Sequence, residues 1–206
     1  MKKIGIITLY YKNNNYGGVA QAYALNKYFQ NLGFDSELIT YKKEKSTLKL
    51  FDKNRNIKSF IKRITNKLKK IIIEIVESCH KKKYSSKLKA REEKLEDFRN
   101  KIPHSKLYTK DNIFEIENSY DFFVTGSDQC WHPGVIVGSF VFDFLEKKKK
   151  KIFSYASSIA VDEFTNNYTT YMKHQLKKYK SISVREENSR FLLEKAIGKT
   201  VELVLD

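Results

Sequence analysis

The chain has 206 residues, with 40 Lys and Arg against 24 Asp and Glu and a formal net charge of +16. That length builds an ordinary domain with a real core, and an apolar share of 41% with 14% aromatics excludes wholesale disorder. Two cysteines, Cys79 and Cys130, exclude a disulfide framework and a four-thiolate metal site, and no apolar run reaches the roughly 20 residues that cross a bilayer. Met1-Lys2-Lys3 before IGIITLYY has the outline of a signal peptide, but YKNNN stands where a small-residue cleavage site belongs. The expectation is a soluble cytoplasmic protein.

Residues 3–10, KIGIITLY, form a short β-branched apolar run, the pattern of a buried strand. A polar loop from Tyr11 to Tyr16 leads into Gly17-Gly18. Apolar residues at Val19, Tyr23, Leu25, Tyr28, Phe29 and Leu32 then predict a helix with one buried face. Gly33 stands where a left-handed residue ends a helix, and SELITY (36–41) reads as a second strand. Strand, glycine loop, helix and strand within about 40 residues make a βαβ unit, which implies a parallel sheet and an α/β fold.

Between 42 and 110 the texture changes. This segment holds 23 Lys and Arg against 8 Asp and Glu, a net of +15, and leaves the remainder at +1. Phe60, Ile61, Ile64, Leu68, Ile71, Ile72, Ile75 and Val76 recur at steps of three and four, so 57–78 reads as a basic amphipathic helix. A second helix is expected over 84–101, and Pro103 closes the segment. The excess charge thus belongs to a basic helical insertion in a near-neutral fold. It fits a solvated face in a Lys-rich chain, or contact with an anionic membrane surface. Nucleic-acid binding is disfavoured by the neutral remainder and by the lack of a recognised motif.

The α/β pattern resumes with YDFFVTGSD (120–128), a strand running into a glycine turn, and with the apolar GSFVFDFL (138–145). After the lysines 147–151 come the strand KIFSYASSIA, a helix over 168–180, a short strand at 181–186, a helix over 187–197 and a last strand, VELVLD, at 201–206. No repeat or flexible linker interrupts the pattern, so 1–206 reads as a single Rossmann-like domain carrying the 42–110 insertion.

Four stretches could carry chemistry. In NNNYGGVAQA (13–22) glycines at a strand-to-helix turn let backbone approach a ligand, and the helix N-terminus favours phosphate or carboxylate. Asn15, Tyr16, Gly17, Gly18 and Gln21 are the candidate binding residues there, although the spacing is neither a dinucleotide fingerprint nor a P-loop. A tight turn that needs glycine explains the pair equally well. Residues 126–133 follow a strand at its carboxyl end, where open α/β sheets bind ligands. Asp128 is a candidate general base for a sugar hydroxyl, Ser127 and Gln129 are candidate hydrogen-bonding groups, and Trp131 is a candidate stacking surface for a sugar ring. Alternatively Ser127 and Asp128 cap a helix and Trp131 is core. His132 beside Cys130 and His80 beside Cys79 lack zinc-ligand spacing, so no metal is assigned. Ser157 ends the next strand within Ser154–Ser158, where small residues leave room for a ligand or a close helix. Arg185 could hold an anion bidentately or pair internally with Glu186 or a nearby acid.

IGIITLYYKNNNYGGVAQAYAL, DFFVTGSDQCW, KIFSYASSIA and SISVREENS with VELVLD resemble, in order and spacing, the polysaccharide pyruvyl transferases. The resemblance covers nearly the whole chain outside 42–110, a region variable in such proteins. The sequence departs from the pattern at Ala20, where Leu is common, and at Asp206, which a Pro usually follows.

The resemblance implies a fold like that of the GT-B glycosyltransferases, two Rossmann-like halves across a cleft, with this chain as the N-terminal half. It implies transfer of pyruvyl carbons from phosphoenolpyruvate, as donor co-substrate and with no further cofactor, to hydroxyls of a cell-surface polysaccharide or its precursor. An acid protonates the methylene, an oxocarbenium-like centre forms, the hydroxyl adds and phosphate leaves. Family members generally hold the donor with basic residues of the second half. The expectation is therefore an acceptor-side half that lacks the C-terminal donor domain, does not transfer alone, and works with a separate C-terminal half if the enzyme is split. A lipid-linked oligosaccharide acceptor would place it in the cytoplasm, peripheral on the inner membrane face. The alternative is a noncatalytic α/β module that binds sugars or anions.

Overall fold

The computed structural model describes residues 1–43, 86–135, 138–145 and 151–205. The helix expected over 57–78, with Cys79, His80 and most of the lysine block, lies outside them. In chain order the elements are β1 (Lys3–Ile7), α1 (Tyr16–Asn31), β2 (Asp35–Leu38), a helical stretch over 86–100 (α2), β3 (Phe122–Asp128), β4 (Lys151–Ser157), α3 (Asn166–Leu176), β5 (Tyr179–Ser181), β6 (Ser183–Val184), α4 (Glu187–Ile197) and β7 (Glu202–Leu203). The strands form one sheet in the order β2-β1-β3-β4-β6-β7, with β5 also on β4. Every pair is parallel.

The physical logic is that of a sheet covered on both faces. β1 buries four of its five residues and β3 five of its seven, so the central strands read as continuous apolar runs, not alternating ones. Phe123, Trp131, Phe140, Phe142, Ile152, Tyr168 and Tyr179 belong to one buried cluster. Its rings meet edge-on, as at Phe123 and Phe142 with centroids 5.3 Å apart, the arrangement that the ring quadrupole favours.

α1 packs on β2 and β3. It buries Gly18, Val19, Ala22, Leu25 and Asn26, a stripe at steps of three and four. Tyr23, Tyr28 and Leu32, expected on the buried face, lie off this stripe and are exposed. The helix ends as expected: Gly33 follows it at φ +85°, in the left-handed region.

The chain divides into two compact units, Met1–Phe51 with Arg99–Asp206, and Asp52–Phe98. In the second, residues 86–98 are helical, and exposed Lys89 and Glu93 face each other one turn apart at 4.0 Å. In the first, the sheet unit, residues from 102 on already belong to the core. The Leu38 N–H donates to the Pro103 carbonyl at 2.8 Å, Tyr41 bridges Tyr108, and Ile102, Tyr108 and Ile113 are buried. No helix among the described residues is long and apolar enough to cross a membrane.

From β1 the chain moves through α1 to one side, β2, and then returns to add β3 on the other side of β1. The carboxyl ends of β1 and β3 therefore flank the point where strand order reverses, which is the place where open α/β sheets hold ligands.

Candidate functional site at the switch point

A closed set of hydrogen bonds joins the ends of β1, α1 and β3. The Thr8 hydroxyl, just past β1, donates to the Ser127 carbonyl at 2.8 Å. The Gln21 amide donates to Thr8 Oγ1 at 2.9 Å and to the Gly18 carbonyl at 2.8 Å. Its Oε1 accepts from the Ser127 N–H at 3.1 Å and from the Ser127 hydroxyl at 2.8 Å. Ser127 is 2% exposed. Gln21 and Ser127, both read as ligand-binding, thus bind each other and fasten helix to sheet.

The head of α1 is built similarly. Asn15 is its N-cap, its side chain accepting from the Gly17 N–H at 3.0 Å, so the glycines lie inside the first helical turn instead of in a preceding loop. Gly18 is there because of close approach: a Cβ would stand 2.5 Å from Asn13 Nδ2 and 3.3 Å from Asp128 Oδ2. Tyr16, at the helix start, is exposed.

Asp128 faces the same point from the end of β3. Its backbone is left-handed, φ +82°, a conformation that Asp tolerates better than most residues but that needs support. Three hydrogen bonds supply it. The Asp128 carbonyl accepts from the Cys130 N–H at 2.7 Å and the Ser158 N–H at 2.9 Å, and its Oδ1 accepts from the Gln129 N–H at 2.8 Å. The carboxylate lies 4.0 Å from Arg185 Nη2, and Arg185 Nε donates to Glu186 Oε1 at 3.2 Å. Arg185 is therefore engaged by two acids while keeping a quarter of its side chain exposed. Gln129 is exposed beside it.

Two sequence candidates have no reach into this site. Trp131 is fully buried: its indole N–H donates to the Phe140 carbonyl at 3.2 Å and its ring meets Tyr179 edge-on, so no face is open for a sugar. Ser157 is also fully buried, and its hydroxyl donates to the Thr125 carbonyl at 3.2 Å. Burial pushes the Cys130 thiol up to about 12, which removes it as a nucleophile near neutral pH. Among the described residues no cluster of His, Cys, Asp and Glu could hold a metal ion. Thr8 was not singled out from sequence: a lone Thr after a strand carries no pattern, and its role depends on Ser127, 119 residues away.

The sheet, the carboxylate at β3 and the glycine-headed helix define an α/β protein with its polar site at the switch point of a parallel sheet. Sequence comparison adds the family: the model for polysaccharide pyruvyl transferase matches residues 15–206, and the chain belongs to that family. No curated protein and no solved structure matches it.

Proposed function

We propose that this chain serves the transfer of the pyruvyl group of phosphoenolpyruvate to a pair of hydroxyls on a polysaccharide or its precursor, and forms the acceptor side of a GT-B-like cleft. The carrying observation is Asp128: a carboxylate at the switch point, locked in left-handed backbone and beside both Gly18 and Arg185. In this role it takes the proton of the attacking hydroxyl. One hydroxyl oxygen bonds to the central carbon of the donor as the methylene is protonated to methyl. Phosphate then leaves and the second oxygen closes the ketal. Two hydroxyl protons are released in all, one balancing the new methyl group and one leaving with phosphate. Arg185 steadies carboxylate charge at the same point.

The donor carries a phosphate and a carboxylate, which call for several cations, and among the described residues the one paired with Asp128 is Arg185, already engaged by Glu186 as well. This supports an acceptor-side role. The isolated chain given phosphoenolpyruvate and an acceptor sugar is expected to bind the sugar and to release no phosphate over multiple turnovers.

The reading is tested in the source cells by measuring acid-labile pyruvate on their polysaccharide. Asp128→Asn in place of the natural gene is expected to lower it about 100-fold or more, the usual weight of a general base. Unchanged pyruvate after deletion of the gene refutes the function, and unchanged pyruvate with Asp128→Asn refutes the role of the carboxylate.

A further inference from the structure

We propose that Arg99 is a positioning residue for the acceptor site, holding the loop after β1 and, through it, the head of α1 against Asp128. The inference rests on the acceptor-site reading above but concerns a residue far from it in sequence.

Arg99 is 6% exposed. A guanidinium taken out of water persists only where hydrogen bonds replace its hydration. One of those bonds runs from Arg99 Nη1 to the Asn13 carbonyl at 2.5 Å, across 86 residues of chain. Asn13 is the knot of its loop. Its N–H donates to the Tyr10 carbonyl at 3.2 Å, its side-chain amide donates to the Leu9 carbonyl at 2.5 Å, and its Oδ1 accepts from the Asn15 N–H at 2.9 Å. Asn15 in turn caps α1 at Gly17. Lys12, just before the knot, sits at φ +51°, a left-handed backbone that a lysine adopts at a cost, so the loop is held in shape and not merely at rest there.

The link to the site is Gly18. The space where its Cβ would stand is bounded by Asn13 Nδ2 at 2.5 Å and by Asp128 Oδ2 at 3.3 Å. Asn13 and the candidate base therefore both close on the same point of the helix. If the Asn13 carbonyl is released, the loop loses its fixed end and the helix head loses its register against the carboxylate. The chain thus secures its acceptor site with a residue from within the basic 42–110 segment.

The test compares the wild-type chain with Arg99→Met, which keeps the apolar stem, and Arg99→Lys, whose ammonium can still donate to one carbonyl. Amide hydrogen exchange is followed at 13–19, with β3 as internal control. Affinity is measured for methyl β-galactoside, a hexoside whose neighbouring hydroxyls can close a cyclic ketal. Arg99→Met is expected to speed exchange at 13–19 by about 10-fold or more while β3 stays protected. It should weaken the sugar by about 10-fold, and Arg99→Lys should restore most of both. Unchanged exchange at 13–19 overturns the inference, as does faster exchange throughout the sheet, which would make Arg99 a support of the whole fold. If the wild-type chain ignores the sugar, or if Asp128→Asn binds it unchanged, the acceptor reading fails. The exchange result still decides whether Arg99 holds the helix head.

Discussion

Two groups of polar side chains meet at the carboxyl ends of β1 and β3, and they differ in what they face. Gln21 and Ser127 bind each other across helix and sheet, and Asn15 accepts from the Gly17 N–H at the head of the same helix. Asp128 and Arg185 sit at the rim of the same place, each about a quarter exposed, in a contact as long as 4.0 Å. In sequence both groups are polar residues near a strand end and look alike. In space one group ties structure together and the other stays part-exposed at the rim. A partially exposed pair at 4.0 Å adds little to stability, whereas the buried Ser127 and Thr8 hydroxyls are costly to leave unpaired.

Substitutions can break this division. The largest expected effect is at a fully buried ring: Trp131→Ala should destabilise the fold by ~3–5 kcal/mol in chemical denaturation, as for other buried aromatics. Gln21→Leu leaves Ser127 and Thr8 without their shared partner and should cost ~1–3 kcal/mol. If Gln21→Leu instead kept full stability and lost sugar binding, Gln21 would belong with the rim pair. Asn15→Ala removes a helix cap and should cost ~1 kcal/mol by the same measurement.

A smaller effect follows from Cys130. Its thiol is raised in the fold from the ordinary 9.0 to about 12 by burial. The folded state therefore holds that proton more tightly than the unfolded state. The resulting stability is intact below about pH 9 and declines as pH climbs towards about 12. Cys130→Ala should flatten that part of the alkaline decline, read as the midpoint of denaturation against pH. Alkylation of Cys130 by iodoacetamide in a Cys79→Ser background should track global unfolding.

Much of the architecture was legible because it is local. The strands and helix of the first βαβ unit, the Gly33 terminus and the apolar runs of β3 and β4 each follow from local spacing, the range over which periodicity and capping operate. The site was legible in place and only partly in detail. Strand-end position marked Ser127, Asp128, Trp131 and Ser157 alike, but it does not say which way a side chain points. Trp131 and Ser157 turn into the core, and Asp128 turns to the rim through its left-handed backbone. The NNNYGG stretch read as a glycine loop, whereas Asn15 starts a helix that contains both glycines. Arg99 was hidden for a different reason: in a segment dense with Lys and Arg, nothing local distinguishes the one whose partner is Asn13.

The account turns on Asp128 as the residue that meets the acceptor. The direct measurement is a titration of the chain with methyl β-galactoside, following backbone amide resonances. Asn suits the left-handed backbone and can still accept from the Gln129 N–H, so Asp128→Asn should keep stability within ~1 kcal/mol of wild type. The expected result is a cluster of shifts at Gly18, Ser127, Asp128 and Gln129 that Asp128→Asn abolishes. Shifts centred elsewhere, or an Asp128→Asn chain that titrates like wild type, would contradict it.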